Sequence, residues 1–296
     1  MRGFWKKLVL TLEMIKFEHS VFALPFAGVG ALLALRESGY AREGLVWKLG
    51  WIVVAMVGAR SAAMAFNRLL DAGLDGRNPR TRMRHLPAGV LSTGFAWAFV
   101  AATSLVFLVA ARMLNPLCLK LAPLALAVVF FYSFTKRFTT FSHLVLGLSL
   151  GIAPAAAWIA MRGSLDARIL LLTAAVMLWT AGFDIIYSCQ DYEFDVAEGL
   201  FSCPQRFGIA GALWIARGFH ILMLASLAAL LYVFRLGAVS AAGVGAVALL
   251  LAYEHSLVKA NDLSRVNAAF FTVNGYVSVL FFMFWAADIL FLRTGA

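Results

Sequence analysis

Runs of about 20 apolar residues recur along almost the whole chain, and a helix needs a run of that length to cross a bilayer. Nine runs are predicted as membrane spans: 19–36, 46–66, 92–113, 116–134, 141–161, 168–189, 209–233, 237–256 and 268–291. The linkers almost vanish at Leu114–Asn115–Pro116 and at Arg235–Leu236–Gly237, so residues 1–296 are read as a single integral-membrane domain. Composition supports this. Soluble domains are usually about 45–50% apolar and about 25% charged. Here 62% of residues are hydrophobic and 14% charged, more apolar surface than a soluble core of 296 residues can hide. The fold class is therefore all-α and polytopic. An ordinary cytosolic enzyme, a disordered chain and a secreted disulfide scaffold are excluded. Cys118, Cys189 and Cys203 form no C-x-x-C pair, which argues against a zinc or disulfide framework.

Before the first span, Phe4, Trp5, Leu8, Leu12 and Ile15 recur at helical spacing, while Lys6, Lys7, Glu13, Lys16 and Glu18 interrupt them. Residues 1–18 are predicted as an amphipathic helix lying in the membrane interface rather than a signal peptide. Orientation follows from Lys and Arg. The side shared by the N-terminus and the loops after spans two, four, six and eight holds 15 basic residues, the opposite side nine. The richer side is predicted to be cytoplasmic. The net charge of +10 thus sits mostly in short linkers, pointing to anionic lipid headgroups and a phosphorylated substrate rather than to nucleic acid.

Seven of the 15 carboxylates, Asp71, Asp75, Asp184, Asp191, Glu193, Asp195 and Glu198, gather in or beside the loops after spans two and six. In the first cluster Asn67, Asp71 and Asp75 fall at 0°, 40° and 80° around a helix and share one face. In the second, Asp184, Asp191 and Asp195 fall within about 20° of a common line on the helix that ends span six. Stacked carboxylates repel and are costly near lipid, so a cation belongs with them. Hard oxygen donors favour Mg²⁺, which binds through a few carboxylates and substrate phosphates. Two facing columns would suit a diphosphate held by Mg²⁺. The plainer alternative is salt bridging to Arg77, Arg80, Arg82 and Arg84, and it is weaker for two matched clusters than for one.

Arg80 and Arg84 follow the first cluster, and Lys136–Arg137 occupy the tight loop after span four. Guanidinium and ammonium groups suit phosphate oxygens. For Lys136 and Arg137 two readings stand open, diphosphate contact and positive-inside anchoring. Arg60, inside span two, lies seven residues before Asn67 on nearly the same face. An intramembrane arginine either binds a ligand carboxylate or partners a buried acid.

The motif N-x-x-x-D-x-x-x-D at Asn67, Asp71 and Asp75, the D-x-x-x-D at Asp191 and Asp195 with Asp184 before it, and the loop Tyr132…Lys136–Arg137 together resemble the UbiA superfamily of intramembrane prenyltransferases. Phe17–Phe26 and Asn78–Gly89 resemble 4-hydroxybenzoate polyprenyltransferase-like quinone enzymes, while Tyr187–Asp195 resembles the branch that includes menaquinone enzymes of the futalosine route. Glu18–His19 stands where the hydroxybenzoate enzymes commonly carry Asp-Lys-Pro. The resemblance implies a nine-helix UbiA-type bundle with a cavity on the cytoplasmic side, in a bacterial-type inner membrane. It implies transfer of a polyprenyl group from its diphosphate to an aromatic acceptor, 4-hydroxybenzoate-like or alternatively a dihydroxynaphthoate, in ubiquinone or menaquinone biosynthesis. On that basis Asn67, Asp71, Asp75, Asp184, Asp191 and Asp195 are expected to bind Mg²⁺-diphosphate, with Asp71, Asp75, Asp191 and Asp195 central to catalysis. Arg80, Arg84, Lys136 and Arg137 are expected on the diphosphate, and Glu18, His19, Arg60 and Tyr187 at the acceptor. The competing class is a multi-span transporter, but its charges belong near the midplane rather than at one face. A phosphotransferase of the alcohol-phospholipid type would need Asp-Gly-x-x-Ala-Arg, which Asp75–Arg80 does not supply.

Overall fold

The computed structural model describes residues 2–15, 23–40 and 43–291, and they are helical. In chain order the helices are α1 (Arg2–Met14), α2 (Leu24–Glu37), α3 (Leu45–Arg77), α4 (Thr93–Leu114), α5 (Pro116–Thr135), α6 (Ser142–Arg162), α7 (Leu170–Ser188), α8 (Tyr192–Glu198), α9 (Cys203–Val233), α10 (Ala238–Leu257) and α11 (Asn274–Phe291). Short 3₁₀ turns precede α7 and α8, and a π-helical turn (Ala268–Val273) leads into α11. Among the described residues, eight segments are long and apolar enough to cross a membrane. The remaining predicted span of the nine, 19–36, lies partly outside the described residues; its described part holds the 14-residue α2.

The chain divides into two compact units. The first comprises Met1–Ser20 and Trp47–Phe134, the second Val21–Val46 and Thr135–Ala296. In the first unit, Met14 and Ile15 at the end of α1 are buried with Ala65 of α3, Ala96 and Val100 of α4, and Leu86 and Leu91 of the intervening loop. The near-absent linker at Asn115 is a single extended residue (φ −169°, ψ 167°) serving two helices. Its backbone N–H donates to Ala111 of α4, and its side-chain oxygen accepts from the Cys118 N–H at 2.9 Å, capping α5. Helix α3 runs 33 residues, eleven past the predicted span end, because helix-compatible Leu69, Leu70, Ala72 and Leu74 follow and Leu69 and Ala72 pack on the unit's core. It stops at Arg77 because Pro79 disfavours a helical Asn78.

The second unit is organised around α7, whose Leu172, Ala175, Val176, Trp179 and Phe183 are buried. On α6, Gly147 and Gly151 are spaced so that both face α7. A Cβ at Gly147 would lie 2.2 Å from the Met177 carbonyl oxygen, and one at Gly151 would lie 2.6 Å from that of Thr173. The two backbones touch through this small-x-x-x-small stripe. Helix α9 has a kink at Gly208 (φ 69°, ψ 165°), a conformation open essentially to glycine, and it coincides with the predicted start of span seven at 209.

Substituting Gly147 by Ala is expected to cost about 1–3 kcal/mol, since the methyl group meets backbone rather than a movable side chain. Thermal unfolding in detergent checks this. Gly50→Ala on α3 serves as the control, because a Cβ there meets nothing within 4 Å.

Candidate active site

The first motif lies entirely in the first unit. Because α3 is uninterrupted, Asn67, Asp71 and Asp75 share a face as the spacing predicts. Both aspartates are buried, Asp71 at 3% exposure and Asp75 at 6%. The Asn67 amide donates to Asp71 Oδ2 at 3.2 Å. The loop after α3 turns back on itself: Asn78 Oδ1 accepts from the Arg80 N–H at 2.9 Å, and the Thr81 hydroxyl donates to the Asp75 carbonyl at 3.1 Å. This fold-back, held by buried Leu86 and Leu91, delivers Arg84 to the second carboxylate. Arg84 Nη1 lies 2.7 and 2.8 Å from the two oxygens of Asp75. Arg68, part-buried, is within electrostatic reach of Asp71, Asp75 and Arg84. Arg68 has no role among the sequence expectations, although it stands inside the motif beside Asn67. Arg80 is exposed. Arg60 is part-buried on α3, two turns before Asn67.

The second motif lies in the second unit and departs from the predicted straight column. Helix α7 ends at Ser188, and Cys189–Asp191 form a 3₁₀ turn before α8. The cause is local. Ser188 Oγ and Cys189 Sγ both donate to the Ile185 carbonyl, at 2.8 and 3.4 Å, and the Gln190 amide donates to the Tyr187 carbonyl at 3.3 Å. Three consecutive side chains thus compete for the last-turn carbonyls that would continue the α-helix. Asp191 and Asp195 belong to the rewound segment, whereas Asp184 stays on α7.

Asp184 is held by a residue to which no role was assigned from sequence. His143 Nδ1 lies 2.7 Å from Asp184 Oδ2, and the Cys203 backbone N–H donates to His143 Nε2 at 3.2 Å. Since Nε2 accepts, Nδ1 carries the proton and donates it to the carboxylate. This contact follows from the α6–α7 packing. The antiparallel register that opposes Gly151 to Thr173 and Gly147 to Met177 brings residue 143 to the level of residues 181–184. Histidine spacing carried no signal because the partner is 41 residues away. Asp195 is hydrogen-bonded by the Ser202 hydroxyl and is within electrostatic reach of Asp191, Lys136 and His143. Ser202 also caps α9 by accepting from the Gln205 N–H at 3.2 Å. Lys136 is tied to the same stretch through its carbonyl, which accepts from the Phe201 N–H at 2.8 Å. Arg137 is exposed. Tyr187 packs against Phe270 of the π-turn, with ring centroids 4.2 Å apart and the planes tilted by 36°. Glu18 and His19 lie outside the described residues. Among the described residues no group of three or more His, Cys, Asp or Glu side chains could cage a metal unaided.

The UbiA prenyltransferase family matches residues 23–287, nearly the whole chain. This chain belongs to that family. Among its relatives, 4-hydroxybenzoate octaprenyltransferase of Vibrio cholerae serotype O1 is 30% identical over 261 residues, covering 85% of this chain and 90% of the relative. The enzyme of the same name from Vibrio atlanticus is 29% identical over 238 residues, covering 79% and 83%. The apo structure of a UbiA homolog from Aeropyrum pernix K1 superposes with a TM-score of 0.81 at 35% identity, covering 92% of this chain and 98% of that one. A UbiA homolog from Archaeoglobus fulgidus, solved with DMAPP and Mg²⁺, shares the fold at a TM-score of 0.71 and 19% identity, covering 94% and 98%. Family membership sets the transporter reading aside. This UbiA-family protein is a helical membrane prenyltransferase.

Replacing His143 by Leu would strand both the Asp184 carboxylate and the Cys203 N–H, at about 1–3 kcal/mol per orphaned group. The expected outcome is a lowered melting temperature together with faster amide exchange at Cys203. Unchanged exchange there would refute the assigned contact.

Proposed function

We propose that this protein transfers a polyprenyl group from polyprenyl diphosphate to an aromatic acceptor of the 4-hydroxybenzoate type, in the synthesis of a respiratory quinone. The observation that carries the reading is the pair of buried carboxylates, Asp71 and Asp75, one turn apart at the end of a membrane helix with an arginine brought to them. Two such groups are costly in a membrane protein without a cationic ligand to share. We assign Asn67, Asp71, Asp75, Asp184, Asp191 and Asp195 to a Mg²⁺-bound diphosphate. The donor set fits that ion, being all oxygen. Mg²⁺ keeps waters and takes phosphate oxygens to complete its shell, so a few carboxylates suffice to hold it with a diphosphate. Bound there, Mg²⁺ supplies neutralising charge to the diphosphate as a leaving group.

The chain's own residues do the remainder. Arg84 can release Asp75 and turn its planar guanidinium to phosphate oxygens, and Arg80, Lys136 and Arg137 add positive charge in the loops around the two motifs. Breaking of the allylic C–O bond sends its electron pair to the diphosphate, where these cations stabilise the growing charge. The allylic cation then alkylates a ring carbon beside the acceptor hydroxyl, and the ring proton is lost. Tyr187 forms an aromatic wall for the acceptor ring, and Arg60 suits a carboxylate on it. The prenyl tail runs among apolar side chains toward lipid. We read the whole chain as one membrane domain with its N-terminus and motif-bearing loops in the cytoplasm. The Tyr187–Asp195 stretch favours a second acceptor class, dihydroxynaphthoates.

Purified protein offered 4-hydroxybenzoate, dihydroxynaphthoates and homogentisate with one prenyl diphosphate is expected to alkylate one class only, and only with Mg²⁺. Asp71→Ala and Asp191→Ala are each expected to lower turnover at least about 100-fold. Full activity in EDTA, or in both variants, would overturn the assignment.

A further inference from the structure

The second unit buries a polar network that the two motifs do not use. Glu254 of α10, His220 of α9 and Asn274 at the head of α11 are each at most 2% exposed. Asn274 is its hub. The Trp179 indole N–H donates to Asn274 Oδ1 at 2.7 Å. Indole nitrogen can only donate, so the amide oxygen must face it and the amide nitrogen must face the other way. The two amide hydrogens then serve three acceptors, Glu254 Oε1 at 2.8 Å and the Ala269 and Phe270 carbonyls at 3.1 and 3.2 Å. Those two carbonyls belong to the π-turn 268–273, whose widened turn displaces the ordinary ladder. Below them His220 Nε2 donates to the Trp179 carbonyl at 3.3 Å, while His220 Nδ1 accepts from His255 Nε2 at 3.0 Å. His220 Nδ1 lies 3.8 Å from Glu254 Oε2, near but not bonded.

The π-turn is also where the aromatic wall is built. Phe270 packs on Tyr187 with centroids 4.2 Å apart and the rings tilted by 36°, and meets Phe183 edge-on at 5.2 Å, while Phe271 lies 6.0 Å from Tyr187. A regular helix over these residues would rotate Phe270 and Phe271 by a large part of a turn relative to α7. We propose that Glu254 and Asn274 are positioning residues that hold the π-turn, and through it set Phe270 against Tyr187 as the seat of the acceptor's aromatic ring. An aromatic ring is the ligand this suits, since offset or edge-on packing on two fixed rings rewards a correctly oriented π-face. The proposal rests on the reading of Tyr187 as an acceptor residue. It assigns Glu254 no contact with substrate, since Trp179 of the same network sits eight residues, about 12 Å, up α7 from Tyr187.

The test uses the full chain in detergent with Mg²⁺, geranyl diphosphate and 4-hydroxybenzoate, or whichever acceptor the wild type alkylates. Glu254→Leu and Phe270→Leu are each expected to raise the acceptor KM about tenfold, with the donor KM and the kcat at saturating acceptor changed less than about threefold. Glu254→Gln keeps an oxygen for the Asn274 amide and is expected to restore the wild-type KM. The double variant should be no worse than the worse single one, because Glu254 acts through Phe270. An unchanged acceptor KM in Phe270→Leu, an additive double variant, or a fall in donor and acceptor binding together would each overturn the proposal. The Phe270→Leu arm decides it if Glu254→Leu does not fold. A wild type that alkylates no acceptor overturns the functional reading, and this proposal with it, whereas an active wild type with unmoved variants overturns this proposal alone.

Discussion

The backbone contact between α6 and α7 underlies most of what the second unit does. With Gly147 and Gly151 against the Met177 and Thr173 carbonyls, the two helices are closer than any side chain would allow, and their register cannot slide. Lipid offers helices no hydrophobic reason to associate, so such contacts, with interhelical hydrogen bonds, supply the specificity. The same register sets His143 beside Asp184, and His143 in turn receives the Cys203 N–H at the start of α9. A stripe of missing side chains in mid-membrane thus orders a polar contact at the helix end.

Charge is handled locally in each unit. In the first, a loop folded over α3 and anchored by leucines brings Arg84 to Asp75. In the second, hydrogen bonds come from neutral groups, the imidazole N–H for Asp184 and a serine hydroxyl for Asp195, with Lys136 within electrostatic reach of the latter. The difference matters for chemistry. A neutral donor fixes the Asp184 carboxylate without cancelling its charge, whereas Asp75 shares its charge with a guanidinium.

Much of this was legible in the sequence, because apolar run length and the 3.6-residue repeat are local properties. The Asn67–Asp71–Asp75 face held since nothing between residues 45 and 77 breaks the helix. The straight second column did not hold, because Ser188, Cys189 and Gln190 each bond back to α7 carbonyls, a competition that periodicity ignores. Two further features were out of reach. The His143–Asp184 contact spans 41 residues and the Trp179–Asn274 contact 95, so neither leaves a motif. The π-turn Ala268–Val273 likewise carries no turn residue to mark it.

The Arg84–Asp75 contact has a thermodynamic consequence. A cation that replaces the guanidinium on the Asp75 carboxylate frees it for an anion, and an anion that takes the guanidinium removes a competitor for the carboxylate. Each event therefore strengthens the other, and by linkage it does so by the same factor in both directions. The Arg84–Asp75 pair is in this sense an exchange of partners, in which a cation replacing Arg84 and an anion replacing Asp75 each ease the arrival of the other.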